Sequence, residues 1–245
     1  MTIFLNQCKA EMYRMFRNPY FIFWSLLMPI VFYYIFTKVV NADIADKELW
    51  GAHYLMSMTS FSVMGSAIMT LGIRLVQERS QGWTTFMKVT PLSGLQYSMA
   101  KMIGQSIVHA FSIAVIFIAG VVLNGVSLSA SQWIMSGCWI LLGSLPFLGI
   151  GVLIGTMRRV ETASGVSNLL YMLLAITGGM WMPMEVLPQT IQAIGAWLPA
   201  YNYGNGAWEI IRGGAPELKN IAILAGYLIL FMVLSMYIRR KQEAV

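Results

Sequence analysis

The chain has 245 residues, of which 58% are hydrophobic and 11% are charged, and its mean hydropathy is +0.67. This composition excludes an ordinary soluble domain, which needs more charged residues to cover its surface. The net charge of +6 does not indicate nucleic-acid binding, because no basic patch with interleaved aromatic residues forms a soluble face.

Six apolar stretches are each long enough to cross a bilayer, since a helix needs about 20 mainly apolar residues to do so. They predict an all-α membrane protein with transmembrane helices at Tyr20–Val40, Tyr54–Leu75, Met102–Leu123, Trp133–Thr156, Ala163–Trp181 and Ile221–Ile238. With both termini in the cytoplasm, twelve of the 16 Lys and Arg residues lie inside and four lie outside. We therefore predict cytoplasmic termini, with a cytoplasmic helix over residues 1–19 and a six-span transmembrane domain over residues 20–245.

The segment before the first span is amphipathic. On a helical wheel its apolar residues share one side, and its polar residues, among them Glu11, Arg14 and Arg17, share the other. Such a helix is expected to lie in the headgroup plane with its apolar side down, until Asn18-Pro19 breaks it. Two interpretations remain open: a simple membrane anchor, or an elbow helix that flanks the docking site of a cytoplasmic partner.

The loop 78–93, between predicted spans two and three, is the richest cytoplasmic segment. Its candidate docking residues are Glu78, Arg79, Gly82, Trp83, Phe86 and Pro91. Gly82 permits a turn, and Pro91 stops whatever short helix lies between. Trp83 and Phe86 stand among charged residues, and an exposed apolar patch with a polar rim is typical of an interaction surface. The alternative is that these rings rest on the lipid headgroups.

Polar residues inside the spans are functional candidates by default. His109 lies in span three, with Gln105 one turn earlier on the same face, and Asn168 lies in span five. We predict His109 and Asn168 as possible contacts of a translocation path. The alternative for each is a buried hydrogen bond between helices.

The last outer loop, residues 182–220, is long and repeatedly broken by proline. Pro183, Pro188 and Pro199 separate apolar helices that are too short to cross a membrane, and Tyr201 follows the last of them. Such segments are typical of re-entrant or interfacial helices, which here would cap the outer mouth of the bundle. The alternative is an aromatic belt at the membrane surface.

The sequence carries no signature of catalysis or cofactor binding. It lacks G-x-x-x-x-G-K-S/T, so the chain cannot hold ATP phosphates in a P-loop, and it lacks H-E-x-x-H. Its two histidines, His53 and His109, have no acidic pair beside them, and its two cysteines form no metal-binding pattern. We predict no catalytic residue, no metal and no cofactor, with any ATP bound by a separate subunit.

Several motifs occur together along the chain. In order, they are Arg17-Asn18-Pro19, Glu78-Arg79 with Gly82, Thr90-Pro91-Leu92-Ser93 followed by Tyr97 and Lys101, and Gly179 with Pro183, Leu187-Pro188, Leu198-Pro199 and Tyr201. Their order and spacing around six spans resemble the membrane subunit of type-2 ATP-binding-cassette (ABC) exporters, which include drug, antibiotic and polysaccharide export permeases. The resemblance covers essentially the whole chain.

The resemblance implies a permease subunit of a drug- or antibiotic-exporter-like ABC transporter in the bacterial cytoplasmic membrane. It implies that the loop 78–93 is a coupling loop that docks on a cytosolic ABC ATPase. It also implies that the segment 182–220 forms short re-entrant helices, and that a second permease copy, identical or a sister, completes the path across the lipid bilayer. The outer loops are too short for a folded ectodomain, so polysaccharide exporters with added modules fit less well.

Two other functions stay open from the residues alone. One is an ATP-independent channel or ion translocator, which would need polar residues along a continuous pore, and the spans offer few. The other is a membrane scaffold or sensor that recruits a cytosolic partner through the same loop.

Overall fold

The computed structural model describes residues 2–17, 19–40, 46–83 and 93–243, and all regular structure in these ranges is helical. The α-helices are, in chain order, α1 (Thr2–Phe16), α2 (Pro19–Tyr34), α3 (Lys47–Gly65), α4 (Gly72–Ser80), α5 (Gly94–Asn124), α6 (Ala130–Gly143), α7 (Leu145–Ile154), α8 (Val160–Thr177), α9 (Gln189–Gly195), α10 (Pro199–Ile211) and α11 (Leu218–Glu243). A π-helix over Ile35–Val40 continues α2, and another over Ser66–Leu71 joins α3 to α4. A short 3₁₀ helix covers Met184–Val186.

Five helical stretches in the described part of the chain are long and apolar enough to cross a membrane. They are Lys47–Ser80, Gly94–Asn124, Ala130–Ile154, Val160–Thr177 and Leu218–Gln242, and they correspond to predicted spans two to six. Predicted span one corresponds to α2 and its π-helical continuation, where the apolar helix Leu26–Val40 is shorter than the other five. The count of six spans therefore stays a prediction.

Helix α3 lies at the centre of the bundle, and α11 lies at its edge. Most residues of α3 from Gly51 to Gly65 are buried, and the stretch Lys47–Ser80 is the most buried of the five long helices, whereas Leu218–Gln242 is the least buried. The two ends of the bundle need separate names. We call the end where α4 ends and α5 begins the loop end, and the opposite end, where α3 begins and α5 ends, the far end.

Small residues bring the central helices into close contact. Gly151 and Gly155 form a G-x-x-x-G pattern, which predicts close packing between membrane helices. A Cβ atom on Gly151 would lie 2.4 Å from the carbonyl oxygen of Ala67, and one on Gly155 would lie 2.7 Å from Cβ of Leu75. The structure thus places α7 directly against the π-helical segment and the first turn of α4.

Local sequence fixes where the helices begin and end. Ser93 and Gln96 form a capping box at the start of α5, with the Gln96 amide 3.2 Å from the Ser93 hydroxyl oxygen and the Ser93 amide 3.0 Å from Gln96 Oε1. Ser129 and Gln132 form the same arrangement at the start of α6. Helix α5 ends at Asn124 and is capped by Gly125, whose φ of 64° is a left-handed conformation that glycine adopts without strain. These caps satisfy the backbone groups at helix ends, so the connections leave the bundle at defined residues.

Candidate functional site

A buried cluster of charged side chains lies at the loop end, where α1, α4 and α5 meet. The Lys101 ammonium on α5 lies 2.5 Å from Glu11 Oε1 on α1 and 2.6 Å from Glu78 Oε1 on α4. Arg14 on α1 and the Tyr97 hydroxyl on α5 also donate hydrogen bonds to the Glu78 carboxylate. We call these five residues the loop-end cluster.

The centre of the loop-end cluster is almost closed to solvent, whereas the Arg14 side chain at its edge is half exposed. Glu11, Glu78 and Lys101 are each no more than 4% exposed. Burying a charge is costly unless opposite charges and hydrogen bonds compensate it. Here the Lys101 ammonium pairs with two carboxylates, and the Arg14 guanidinium supplies the second positive charge. Glu11 also accepts a hydrogen bond of 3.0 Å from the Gln7 side chain. The cluster therefore holds α1, α4 and α5 together through their charges.

The position of Glu11 differs from the amphipathic prediction for α1. The helical wheel places Glu11 on the polar side, away from the membrane, whereas the structure buries it against α5. The reason is a close approach of the two helices, because a Cβ atom on Gly104 would lie 3.0 Å from Cβ of Glu11. Leu5 on α1 remains 55% exposed. Burial also raises the pKa of the Cys8 thiol on the same helix.

Glu78 and Arg79, both predicted to dock a partner protein, make contacts within this chain. The Glu78 carboxylate belongs to the loop-end cluster and is 2% exposed. Arg79 Nη1 donates to the Thr156 carbonyl oxygen at 2.9 Å and to Gln242 Oε1 at 3.2 Å. Gln242 Nε2 donates to the same Thr156 oxygen at 3.0 Å, so these three residues join the ends of α4, α7 and α11. The docking role of the loop 78–93 stays a prediction.

The structure describes some of the other predicted docking residues and not the rest. Gly82 has a φ of 75°, a left-handed turn conformation, directly after α4. Trp83 follows it and is 45% exposed, and Arg17, at the end of α1, is also exposed. Phe86 and Pro91 lie outside the described residues.

His109 lies fully buried in α5, and its ring contacts one polar side chain on the same helix and one between α6 and α7. Its Nδ1 lies 3.3 Å from the Ser144 hydroxyl between α6 and α7, and its Nε2 lies 3.4 Å from Gln105 Nε2. Gln105 in turn donates to the Ser66 hydroxyl at 2.6 Å, at the start of the π-helix. This arrangement is a hydrogen-bonded junction between helices. Asn168 is exposed on α8, so the structure does not join His109 and Asn168 in one site.

The segment 182–220 packs against the far half of the bundle through α10. Trp139 Nε1 donates to the Tyr203 carbonyl oxygen, and the Tyr203 hydroxyl donates to the Ile140 carbonyl oxygen, both at 2.8 Å. Ile140 lies about 15 Å along the stretch Ala130–Ile154 from the far end, at 1.5 Å per residue. Trp208 Nε1 donates to the Ser57 hydroxyl of α3 at 3.0 Å. Helix α10 therefore reaches well into the bundle, and its placement within a membrane stays a prediction.

The prolines of this segment mark helix starts, as the sequence indicates. Pro183 precedes the 3₁₀ helix, Pro188 precedes α9, and Pro199 is the first residue of α10. Tyr201 is half-buried in α10, with its ring centroid 6.3 Å from that of Trp208. Burial raises the pKa of the Tyr201 hydroxyl, with a smaller contribution from the acidic residues around it.

The ion pair between Glu11 and Lys101 was not predicted from the sequence. One signal was available: Tyr97 and Lys101 stand four residues apart at the start of α5, which places them on the same helix face. Nothing comparable identifies Glu11 as their partner. In the described ranges, no group of three or more His, Cys, Asp or Glu residues is arranged to hold a metal ion.

Comparison with known proteins identifies the family. Residues 38–237 match the sequence profile described as "ABC-2 family transporter protein". The chain is 62% identical over 245 residues, the full length of both proteins, to "Putative transport permease YvfS" of Bacillus subtilis (strain 168). It is 26% identical over 208 residues to "Linearmycin resistance permease protein LnrN" of the same strain, covering 81% of this chain and 50% of that protein. The resemblance seen in the motifs is confirmed: the chain is a multi-pass membrane protein of the ABC-2 transporter family.

Proposed function

We propose that this chain is the permease subunit of an ABC exporter in the bacterial cytoplasmic membrane. Two permease copies, identical or sister chains, form the translocation path between them. A separate ATPase binds at the loop end, which faces the cytoplasm together with both termini. Family membership and the absence of a P-loop from the sequence support this division of labour.

The observation that carries the proposal is that both ends of the loop 78–93 are held by the loop-end cluster. Glu78 lies two residues before the end of α4, and Tyr97 lies three residues after the start of α5. Their hydrogen bond and the ion pair between Glu78 and Lys101 join the two helices at the base of the loop. A force applied to the loop is therefore transmitted to α4 and α5 as one body.

The contacts of Arg79 extend this transmission to the other side of the bundle. Through the Thr156 carbonyl and the Gln242 side chain, the end of α4 is linked to the ends of α7 and α11. Closure of an ATPase dimer beneath the loop would thus tilt four helices together. This gives the loop-end residues a role in coupling without requiring Glu78 itself to touch the ATPase.

Export is the favoured direction of transport. A relative 26% identical to this chain is named as a resistance permease for linearmycin, and outward transport of a toxic compound is a direct way for a permease to give resistance. We infer that this chain moves its cargo outward.

Purification of the tagged chain from its host in mild detergent tests the proposal. We expect a P-loop ATPase to co-purify in equal stoichiometry, and Trp83→Ala to lower its yield severalfold because the change removes an exposed ring at the base of the loop. Trp197→Ala is the matched control, since Trp197 is 65% exposed on the segment 182–220 at the far end. Consistent absence of an ATPase would refute the proposal and favour a channel or a scaffold.

A further inference from the structure

An apolar pocket lies in the far half of the bundle, between three elements of the chain. It has a volume of about 130 Å³ and is lined by Phe32, Phe36, Tyr54, Met58 and Trp181. The two phenylalanines come from α2 and its π-helical continuation, Tyr54 and Met58 come from α3, and Trp181 follows α8. The pocket is partly enclosed and partly open.

Contacts between the walls keep the pocket in shape. The Tyr54 hydroxyl donates to the Trp181 carbonyl oxygen at 3.0 Å, which ties α3 to the end of α8. The Phe36 and Tyr54 ring centroids lie 5.2 Å apart, and the Phe61 ring meets the edge of Trp181 at 5.8 Å. These distances are typical of favourable aromatic pairs. These contacts hold the walls of the pocket at fixed distances from each other, so the empty space between them is maintained.

The apolar side chains of the walls favour the binding of a hydrocarbon group. No polar atom of the five lining residues contributes to the pocket surface: the Tyr54 hydroxyl is bonded to the Trp181 carbonyl oxygen, and Trp181 Nε1, although it has no hydrogen-bond partner, is itself buried. A charged or hydrogen-bonding group would lose its water there without a replacement. An apolar cavity of about 150 Å³ stays dry and binds benzene, so this pocket has room for one aromatic ring or a short piece of acyl chain.

The depth of the pocket suits the proposed transport direction. Tyr54 and Met58 lie about 10 and 16 Å along α3 from Lys47, at 1.5 Å per residue. The helical stretch Lys47–Ser80 has 34 residues and is about 50 Å long at that rise, so both residues lie in its half nearer the far end. With the loop end in the cytoplasm, that half belongs to the outer leaflet.

We propose that this pocket binds the aromatic ring or acyl segment of an amphipathic molecule, whose polar part stays outside. The assignment of that molecule as transported cargo rests on the proposed function. The same hydrocarbon chemistry is shared by the acyl chains of membrane lipid. The experiment must therefore tell cargo-like aryl compounds from lipid.

Photolabelling of the full chain in phosphatidylcholine nanodiscs tests the pocket without requiring an ATPase. A phenyl diazirine probe is activated by light, and labelled residues are mapped by mass spectrometry. We expect saturable labelling at Met58 and Trp181. With the probe well below its own Kd, labelling should fall about tenfold when toluene is present at roughly ten times its Kd, because toluene then occupies about ten sites in eleven. Labelling at Val122, which is 74% exposed on α5, should not saturate.

Two substitutions of one lining residue give opposite expectations. Phe36→Trp enlarges a half-buried ring and should lower pocket labelling severalfold, whereas Phe36→Ala should preserve it and admit larger aryl probes. Ile118→Trp is the control, because it adds an indole at a site that is 62% exposed on α5.

A phospholipid with a diazirine in its acyl chain forms the second arm. Saturable labelling by this lipid at the same residues would identify membrane lipid as the occupant, and labelling by the aryl probe would identify a cargo-like ring. Labelling by both probes that saturates no more at Met58 than at Val122 would overturn the proposal. Failure to co-purify an ATPase would overturn the transport function but leave this result unchanged.

Discussion

Replacement of Lys101 by methionine is the most direct test of the loop-end cluster. Methionine has a similar length and fits an apolar site, so the change removes the charge while keeping most of the volume. Glu11 Oε1 and Glu78 Oε1 each lie within 2.6 Å of the missing ammonium. Lys101→Met therefore leaves two buried carboxylates facing each other, with the half-exposed Arg14 as the remaining cationic partner of Glu78.

The cost follows from that geometry. The two oxygens are at most about 5 Å apart, and two like charges at that separation repel by about 3 kcal/mol at an effective dielectric constant of about 20. Removing one partner of a buried ion pair costs roughly 3–5 kcal/mol in other proteins. Arg14 still pairs with Glu78, so we expect the cost for this variant to lie at the lower end of that range. We expect a loss of about 3 kcal/mol in the free energy of unfolding.

The free energy of unfolding can be measured by titration with sodium dodecyl sulfate in mixed micelles, followed by far-ultraviolet circular dichroism. Lys38→Met is the matched control, since Lys38 is exposed and surface changes usually stay within about 0.5 kcal/mol. Adding Glu11→Gln to Lys101→Met removes the repulsion, so the double variant should regain about 1–3 kcal/mol over Lys101→Met alone. If Lys101→Met unfolds like the control, the cluster does not hold these helices together.

Three further predictions follow from the packing and the loop end. Gly151→Ala should cost about 1–3 kcal/mol of stability, because the new methyl group overlaps a backbone carbonyl of the π-helix. Its control, Gly165→Ala, has open space around its Cβ position and should be neutral or slightly stabilising. The same titration measures both variants. Trp208→Phe should cost about 1 kcal/mol through loss of the hydrogen bond to Ser57, and an unchanged stability would contradict that bond. Arg79→Ala should lower ATP-dependent export while the amount of protein in the membrane, measured by immunoblot, stays normal; unchanged export in vesicles would count against coupling through α7 and α11.

Hydropathy predicts the long helices well but misses their polar ends. Predicted span two begins at Tyr54, whereas the helix begins at Lys47 with Asp46 as its cap. The first two turns of α3 carry Lys47, Glu48 and His53, which lower hydropathy without ending a helix. The π-helical turns over Ile35–Val40 and Ser66–Leu71 were not predicted, because they depend on packing across helices and leave no periodic pattern in the sequence.

The pairing of residues in the loop-end cluster could not be predicted from a single sequence. Glu11 and Lys101 are 90 residues apart in the chain, and the sequence around each of them predicts a charged side chain that faces solvent. The amphipathic pattern of α1 correctly predicts a helix, but it cannot tell a polar side facing water from one facing a buried lysine. By contrast, helix starts at Pro188 and Pro199 could be predicted, because proline acts locally.

The central burial of α3 constrains how the protein is assembled. A helix enclosed by protein does not have to be apolar enough to remain in lipid by itself, and α3 carries several hydroxyl side chains, such as Ser57, Thr59 and Ser60, among its buried residues. These groups would be exposed to acyl chains until α5, α6 and α10 have been synthesised and packed around them. We expect the first third of the chain to be held at the insertion machinery during translation, with release only after the later helices supply its surroundings.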